Sequence, residues 1–267
     1  MSPDSTIGIA LVYPDLLGTY GDSGNATILA QRLRWRGQPA EVVEINAGGT
    51  VPDSCDLYVV GGGEDIPQAL AARDLNADRP LHRAIDRGAA VLAICAGLQI
   101  LGRSFVGPDG IDRPGLGLID CVSSRGTGPR AVGELVVKPT AAPLPVLTGY
   151  ENHGGVTELG PDTQPAGLVR SGTGNGAADH TDGAVTGRIW GTYMHGPVLA
   201  RNPALADLLL GWVVGPLSAL DDRESEALRT ERLRAAPAEA SPQGGPARDW
   251  RVHVDRLRRR LPHLTSR

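Results

Sequence analysis

The fourteen residues from Gly88 to Leu101, GAAVLAICAGLQIL, restrict the architecture more than any other stretch of the chain. An apolar run, Ala89 to Ile94, carries Cys95 straight into Ala96-Gly97, after which Leu98, Ile100 and Leu101 resume on a helical stripe. A short run with Val and Ile and no polar alternation reads as a strand of a parallel sheet, buried on both faces. The small residues after it suit a sharp strand-to-helix turn, which presents its side chain at the carboxyl edge of the sheet. Free N–H groups at a helix N-terminus lie next to such a turn; they favour a thiolate and can face a developing oxyanion. Cys95 is therefore a candidate nucleophile, with a small buried hydrophobe as the competing reading.

The preceding chain repeats the pattern. Strands are expected at Ile7–Tyr13, Ala40–Ile45 and Leu57–Val60. Between the first two, a helix packs through Ile28, Leu29, Leu33 and Trp35 and ends at Gly37; after the third, Leu70 to Arg87 reads as helix broken near Pro80. Strands alternating with helices predict an α/β fold: three layers, with a mostly parallel, flavodoxin-like sheet flanked by helices. Sites in such sheets collect beyond the carboxyl ends of strands. From Gly110 the pattern changes to short strands at Leu116–Ile119, Gly133–Val137, Val146–Tyr150, Leu168–Val169 and Ala184–Trp190, with Glu151–Gly155 as a polar turn and 171–183 as a loop or hairpin. A strand over Arg188–Tyr193 delivers Met194-His195-Gly196-Pro197, and Pro203 opens a helix carrying Leu205, Leu208, Leu209 and Trp212. Residues 1–216 read as one domain and 217–267 as a charged, partly helical extension. The extension has a helix at Asp221–Ala236, a linker at Pro237–Pro246 and a basic helix at Arg251–Leu264.

Composition removes several classes. A formal charge of −4 gives no global field for nucleic acid. The three cysteines, Cys55, Cys95 and Cys121, form neither a disulfide framework nor a zinc spacing, and no His, Cys or acidic grouping marks a metal site. No apolar run is long enough to span a membrane and no leader is apparent, so the expected location is cytoplasmic. Neither a Walker loop nor a dinucleotide fingerprint is present.

A nucleophilic cysteine needs a base. His82, His180, His253 and His263 have nothing convergent around them, whereas His195 and His153 both follow strands. His195 occupies the same topological position as Cys95, so the two can meet above the sheet; the competing reading is a histidine satisfying a backbone carbonyl. Gly61-Gly62-Gly63 ends the third strand and reads as a phosphate cradle, an oxyanion site shared with the N–H of Ala96, or a plain tight turn.

Four pieces in order, Cys95 in C-A-G-x-Q, the GGGED turn, Y-E-N-H-G-G at 150–155 and G-T-Y-M-H-G-P at 191–197, resemble the class I glutamine amidotransferases. The branch shared with cobyric acid synthase is more similar, and the glutaminase subunits of lipid II isoglutaminyl synthase more so again. Y-P-D-L-L-G-T-Y-G-D-S-G-N at 13–25 resembles the opening of those subunits. The likeness runs from about residue 7 to 215.

The resemblance implies a cysteine amidase that needs no cofactor of its own. Cys95 attacks the side-chain amide of L-glutamine, His195 moves the protons, and backbone N–H groups near Gly62, Gly63 and Ala96 hold the oxyanion. Gln99 positions turn or substrate, and Asn152 and His153 form the substrate wall. Arg130 in P-R-A-V-G-E matches an arginine that these subunits use for glutamine; a guanidinium fork suits a carboxylate, though Arg125 competes. The implied partner is a MurT-like, Mur-ligase-family synthetase subunit, which binds ATP and Mg²⁺ and amidates the D-glutamate α-carboxyl of lipid II at the inner face of the membrane. Many class I enzymes place a carboxylate two residues beyond the histidine, where this chain has Pro197. The help is then expected from another residue of the chain or, preferably, from the partner. Rival readings are a glutaminase for another synthetase such as a corrinoid amidase, a related cysteine hydrolase, and a silent regulatory subunit.

Overall fold

A computed structural model describes residues 5–107, 109–176 and 179–236. Its strands, in chain order, are β1 (Ile7–Val12), β2 (Ala40–Ile45), β3 (Leu57–Val60), β4 (Ala90–Ile94), β5 (Ser104–Val106), β6 (Asp112–Pro114), β7 (Cys121–Arg125), β8 (Ala131–Pro139), β9 (Leu147–His153), β10 (Gly155–Leu159), β11 (Gly167–Ser171), β12 (Thr181–Asp182), β13 (Ala184–Thr186) and β14 (Ile189–Thr192). Helices are α1 (Pro14–Leu17), α2 (Gly24–Arg34), α3 (Asp65–Asp78), α4 (Pro80–Asp86), α5 (Ala96–Leu101), α6 (Val198–Arg201), α7 (Pro203–Val214) and α8 (Arg223–Ala235).

The central sheet runs β13-β14-β4-β3-β1-β2, parallel throughout except for the β13–β14 hairpin at its edge. Its inner strands β3 and β4 are buried at every position, which is why they read as unbroken apolar runs. At the opposite edge, β2 exposes Glu41 and Glu44, charges that discourage pairing with another chain. Helix α2 packs on β1 and β2, and α7 on β4, giving the expected α/β architecture. Two smaller sheets, β10-β7-β5-β6 and β12-β11-β8-β9, are built from the later chain.

Several expected boundaries shift. The break near Pro80 is real: α3 ends and α4 begins at Arg79, whose backbone is left-handed. Trp35 lies beyond the end of α2 and is 60% exposed, so Leu29 and Leu33 carry the packing there. Leu116–Ile119 is not a strand. Its N–H groups donate to Ile100, Leu101 and Gly102 carbonyls, closing the orphaned end of α5. Glu151–His153 belongs to β9 rather than to a turn, and Gly154 alone separates it from β10. Ala184–Trp190 is a hairpin, not one strand. Helix α8 fits the predicted range but buries none of its residues. The linker and basic helix expected after Pro237 lie outside the described residues.

Candidate active site

Strands β4 and β14 lie side by side in parallel, with Ile94 opposite Thr192. Cys95 follows the first at once, and its N–H donates to Thr192 O at 2.9 Å. Its backbone, at φ 50° and ψ −106°, is a conformation that L residues rarely adopt, and α5 starts at the next residue. Gly97 permits this turn, because a Cβ there would stand 2.4 Å from Val60 O.

His195 is three residues past the end of β14 and is 1% exposed. A bridge to β9 fixes its backbone, with its N–H donating to Tyr150 O at 2.7 Å. Its Nδ1 lies 2.9 Å from Asp22 Oδ2, and Asp22 is wholly buried. A carboxylate only accepts, so Nδ1 carries the proton and Nε2 is left for the cavity, where it has no well-formed hydrogen bond. Cys95 lines the same cavity. Burial opposes the charged ring, but the Asp22 carboxylate and the Cys95 sulfur outweigh it and push the imidazole up to about 10.

Asp22, present in the sequence reading only as one position of the Y-P-D-L-L-G-T-Y-G-D-S-G-N stretch, holds the histidine that a partner's carboxylate was expected to orient. Besides His195, it accepts from the N–H of Gly62 at 2.8 Å and of Gly196 at 3.2 Å. Pro197, at the position where many class I enzymes have the acid, instead packs against α2, its Cγ 3.0 Å from where a Gly24 Cβ would be. The Y-G-D-S-G-N motif and the missing acid at Pro197 were together the available signal.

The triple glycine is explained by close approach rather than by phosphate. A Cβ on Gly61 would stand 1.9 Å from Leu17 O, one on Gly62 2.4 Å from the His195 ring, and one on Gly63 2.6 Å from Leu16 O. Gly62 is corrected as an oxyanion donor, because its N–H is already given to Asp22. Gly63 and Ala96 do line the cavity.

The remaining expected residues, Gln99, Arg130, Asn152 and His153, line the same cavity. Gln99 is held rigidly: its Oε1 accepts from Gln68, and its Nε2 donates to the Tyr193 hydroxyl at 2.9 Å. That hydroxyl continues to Thr157 and Ser123, a buried hydrogen-bonded chain behind Gln99. His153 stacks on Tyr193 with centroids 3.9 Å apart, near Glu151 and the Gly155 carbonyl. Gly155 is where Gln99 needs room, since a Cβ there would lie 2.4 Å from its Nε2. Arg130 donates through Nε to Asn152 Oδ1 and through Nη2 to Asn152 O. Arg125 lines the cavity too. Glu64 and Asp65 line the cavity beside Gly63, so cationic and anionic side chains both border the space. Among the described residues, no three His, Cys, Asp or Glu side chains gather as a metal site, and no helix is long and apolar enough to cross a membrane.

The strained strand–helix turn at Cys95, with the carboxylate-bound His195 next to it over a parallel sheet, defines the class of α/β enzymes built around a cysteine–histidine pair. Residues 8–203 match the CobB/CobQ-like glutamine amidotransferase domain, and the chain belongs to that family. It is 39% identical over 198 residues to the lipid II isoglutaminyl synthase (glutamine-hydrolyzing) subunit GatD of Staphylococcus aureus strain N315, across 73% of this chain and 79% of that one. The same subunit of Streptococcus pneumoniae is 33% identical over 202 residues, across 75% and 77%. A probable cobyric acid synthase of Methanoregula boonei is 35% identical over 188 residues, which are 66% of this chain but 36% of that one. A crystal structure of a glutamine amidotransferase aligns with a TM-score of 0.51 at 20% identity, covering 77% of this chain and 98% of its own, and shares the fold.

Proposed function

We propose that this chain hydrolyses L-glutamine at Cys95 and supplies the ammonia to an ATP-dependent synthetase subunit. The observation that carries the reading is the Asp22–His195 pair, which leaves Nε2 facing the cavity that Cys95 lines. The Cys95 thiolate attacks the side-chain amide carbon, and the N–H groups of Gly63 and Ala96 receive the oxyanion. His195 Nε2–H protonates the leaving nitrogen; the C–N bond breaks, ammonia departs and a γ-glutamyl thioester remains. The now neutral Nε2 takes a proton from water, whose oxygen attacks the thioester, and glutamate leaves as the thiolate reforms. Asp22 keeps one tautomer and one ring orientation through both half-reactions. Arg130 takes the substrate α-carboxylate, while Gln99, Asn152 and His153 form the wall.

The similarity to two GatD subunits supports a more specific role. The partner is then a Mur-ligase-like subunit that binds ATP and Mg²⁺ and converts the D-glutamate α-carboxyl of lipid II to D-isoglutamine, working at the inner face of the membrane. The test is amidation of lipid II by the purified pair. Cys95→Ala is expected to abolish product made with glutamine while leaving product made with ammonium chloride. Lipid II left unmodified by the wild-type pair in the presence of ATP and glutamine rejects this acceptor. Glutamine left unhydrolysed rejects the amidase.

A further inference from the structure

Tyr20 has no part in the reaction as described, and nothing in core packing accounts for its conformation. It sits in the one-turn segment Thr19–Gly21 at φ 63° and ψ 20°, in the left-handed region that glycine occupies far more readily. The side chain is 39% exposed, so burial of the ring does not hold it there. What holds it is the site. Its ring meets the His195 ring edge-on, with centroids 4.8 Å apart, and stands 6.1 Å from that of Tyr150. Its hydroxyl accepts a hydrogen bond from Asn152 Nδ2 at 2.6 Å. Asn152 accepts in turn from Arg130 through both its side-chain and its backbone oxygen. Two residues on, the same segment supplies Asp22.

We propose that Tyr20 is a positioning residue: its ring roofs His195 against water, and its hydroxyl, through Asn152, holds the Arg130 guanidinium ready for a substrate carboxylate. This rests on the glutaminase reading and divides one side chain into two separable roles. The titratable groups against the ring are Asp22 just past the Thr19–Gly21 turn, Cys95 on the β4–α5 turn and Tyr20 itself, with Tyr150 on β9 beside them; Glu64, Asp65, Arg125, Arg130 and His153 border the same cavity. Opening the roof admits water between His195 and the Asp22 carboxylate, and the imidazolium then loses support.

Tyr20→Phe and Tyr20→Gly separate the roles. Losing one hydrogen bond in the Arg130 chain should raise the KM for glutamine about 3- to 10-fold in Tyr20→Phe, with kcat and pH profile unchanged. Tyr20→Gly removes the roof but relaxes the backbone, so its thermal midpoint should hold or rise while kcat falls roughly 10-fold or more. The basic limb of kcat/KM should move to lower pH in that variant, and alkylation of Cys95 by iodoacetamide at a fixed pH of about 7 should change in rate. An unchanged KM in Tyr20→Phe overturns the hydroxyl's role. Unchanged kcat and alkylation rate in Tyr20→Gly, or a lowered thermal midpoint that accounts for the loss, overturn the ring's. Alkylation requires no glutamine, so a wild-type chain that leaves glutamine intact sinks the glutaminase reading while Tyr20 is still judged.

Discussion

At the scale of single residues, the decisive feature is a carboxylate that reaches His195 from 173 positions upstream. Its three acceptor contacts join the histidine, the triple-glycine turn and the residue after the histidine. Asp22→Asn keeps the shape but offers Nδ1 an amide that can donate as well as accept, so the ring loses its enforced tautomer. By analogy with the corresponding change in serine proteases, kcat should drop on the order of 10² to 10⁴. The isolated chain, carrying its own carboxylate, should hydrolyse glutamine without its partner, and Asp22→Asn should remove that activity. The pH behaviour follows from the raised imidazole. A folded value of about 10 against 6.5 means that the stability from this pairing is complete below 6.5 and is lost as pH rises through 10. The free-energy difference between wild type and Asp22→Asn should therefore shrink on passing from pH 6 to above pH 10, as read by urea unfolding. Widening of that gap with rising pH would contradict the pairing.

At the scale of elements, apolar pattern reported burial faithfully but not always the partner of the backbone. β3 and β4 are legible because a strand covered on both faces is apolar throughout. Leu116 and Ile119 are as buried as those strands, yet the N–H groups of 116–119 finish α5 instead of pairing in a ladder. Nothing local separates the two cases. The ends of β4 and β14 brought Cys95 and His195 within reach of sequence reasoning, whereas Asp22 depends on how α1 and the Thr19–Gly21 turn fold over β3. That placement is a tertiary fact, and its traces in the sequence are indirect: the Y-G-D-S-G-N stretch, the proline where an acid is expected, and the glycines that admit the close approach. Gly61→Ala tests the close approach, because its Cβ would collide with the Leu17 carbonyl, a backbone atom that cannot swing aside. A loss of about 1–3 kcal/mol is expected, with reduced turnover as the Asp22 segment shifts. Gly128→Ala, which meets nothing within 4 Å, is the matched control and should be close to neutral in urea denaturation.

Across the whole molecule, α2 follows the loop that holds Asp22 against His195, and it is fastened at both ends. Near its start, Asn25 Oδ1 accepts from Leu199 N at 3.0 Å, beside the chain that leaves His195. Toward its end, Arg32 is 3% exposed and forks onto both Asp207 of α7 and Asp222 at the cap of α8, while Arg36 binds Asp207 and the Ser218 carbonyl. Burial opposes the Arg32 charge, but the two carboxylates outweigh it and raise its pKa further. These contacts cross residue 216, where the sequence alone placed a boundary, because ion pairs between distant charged residues leave no hydrophobic period to read. Arg32→Leu strands two partly exposed carboxylates, one of which keeps Arg36. The cost should be about 2–4 kcal/mol, at or somewhat below the range for breaking a fully buried pair. The catalytic end of α2 has its own fastenings in Asp22 and Asn25, so kcat at 25 °C should stay within about threefold of wild type. A large fall in kcat with stability intact would mean that the far end of α2 governs the histidine, and the two fastenings would have to be treated as one.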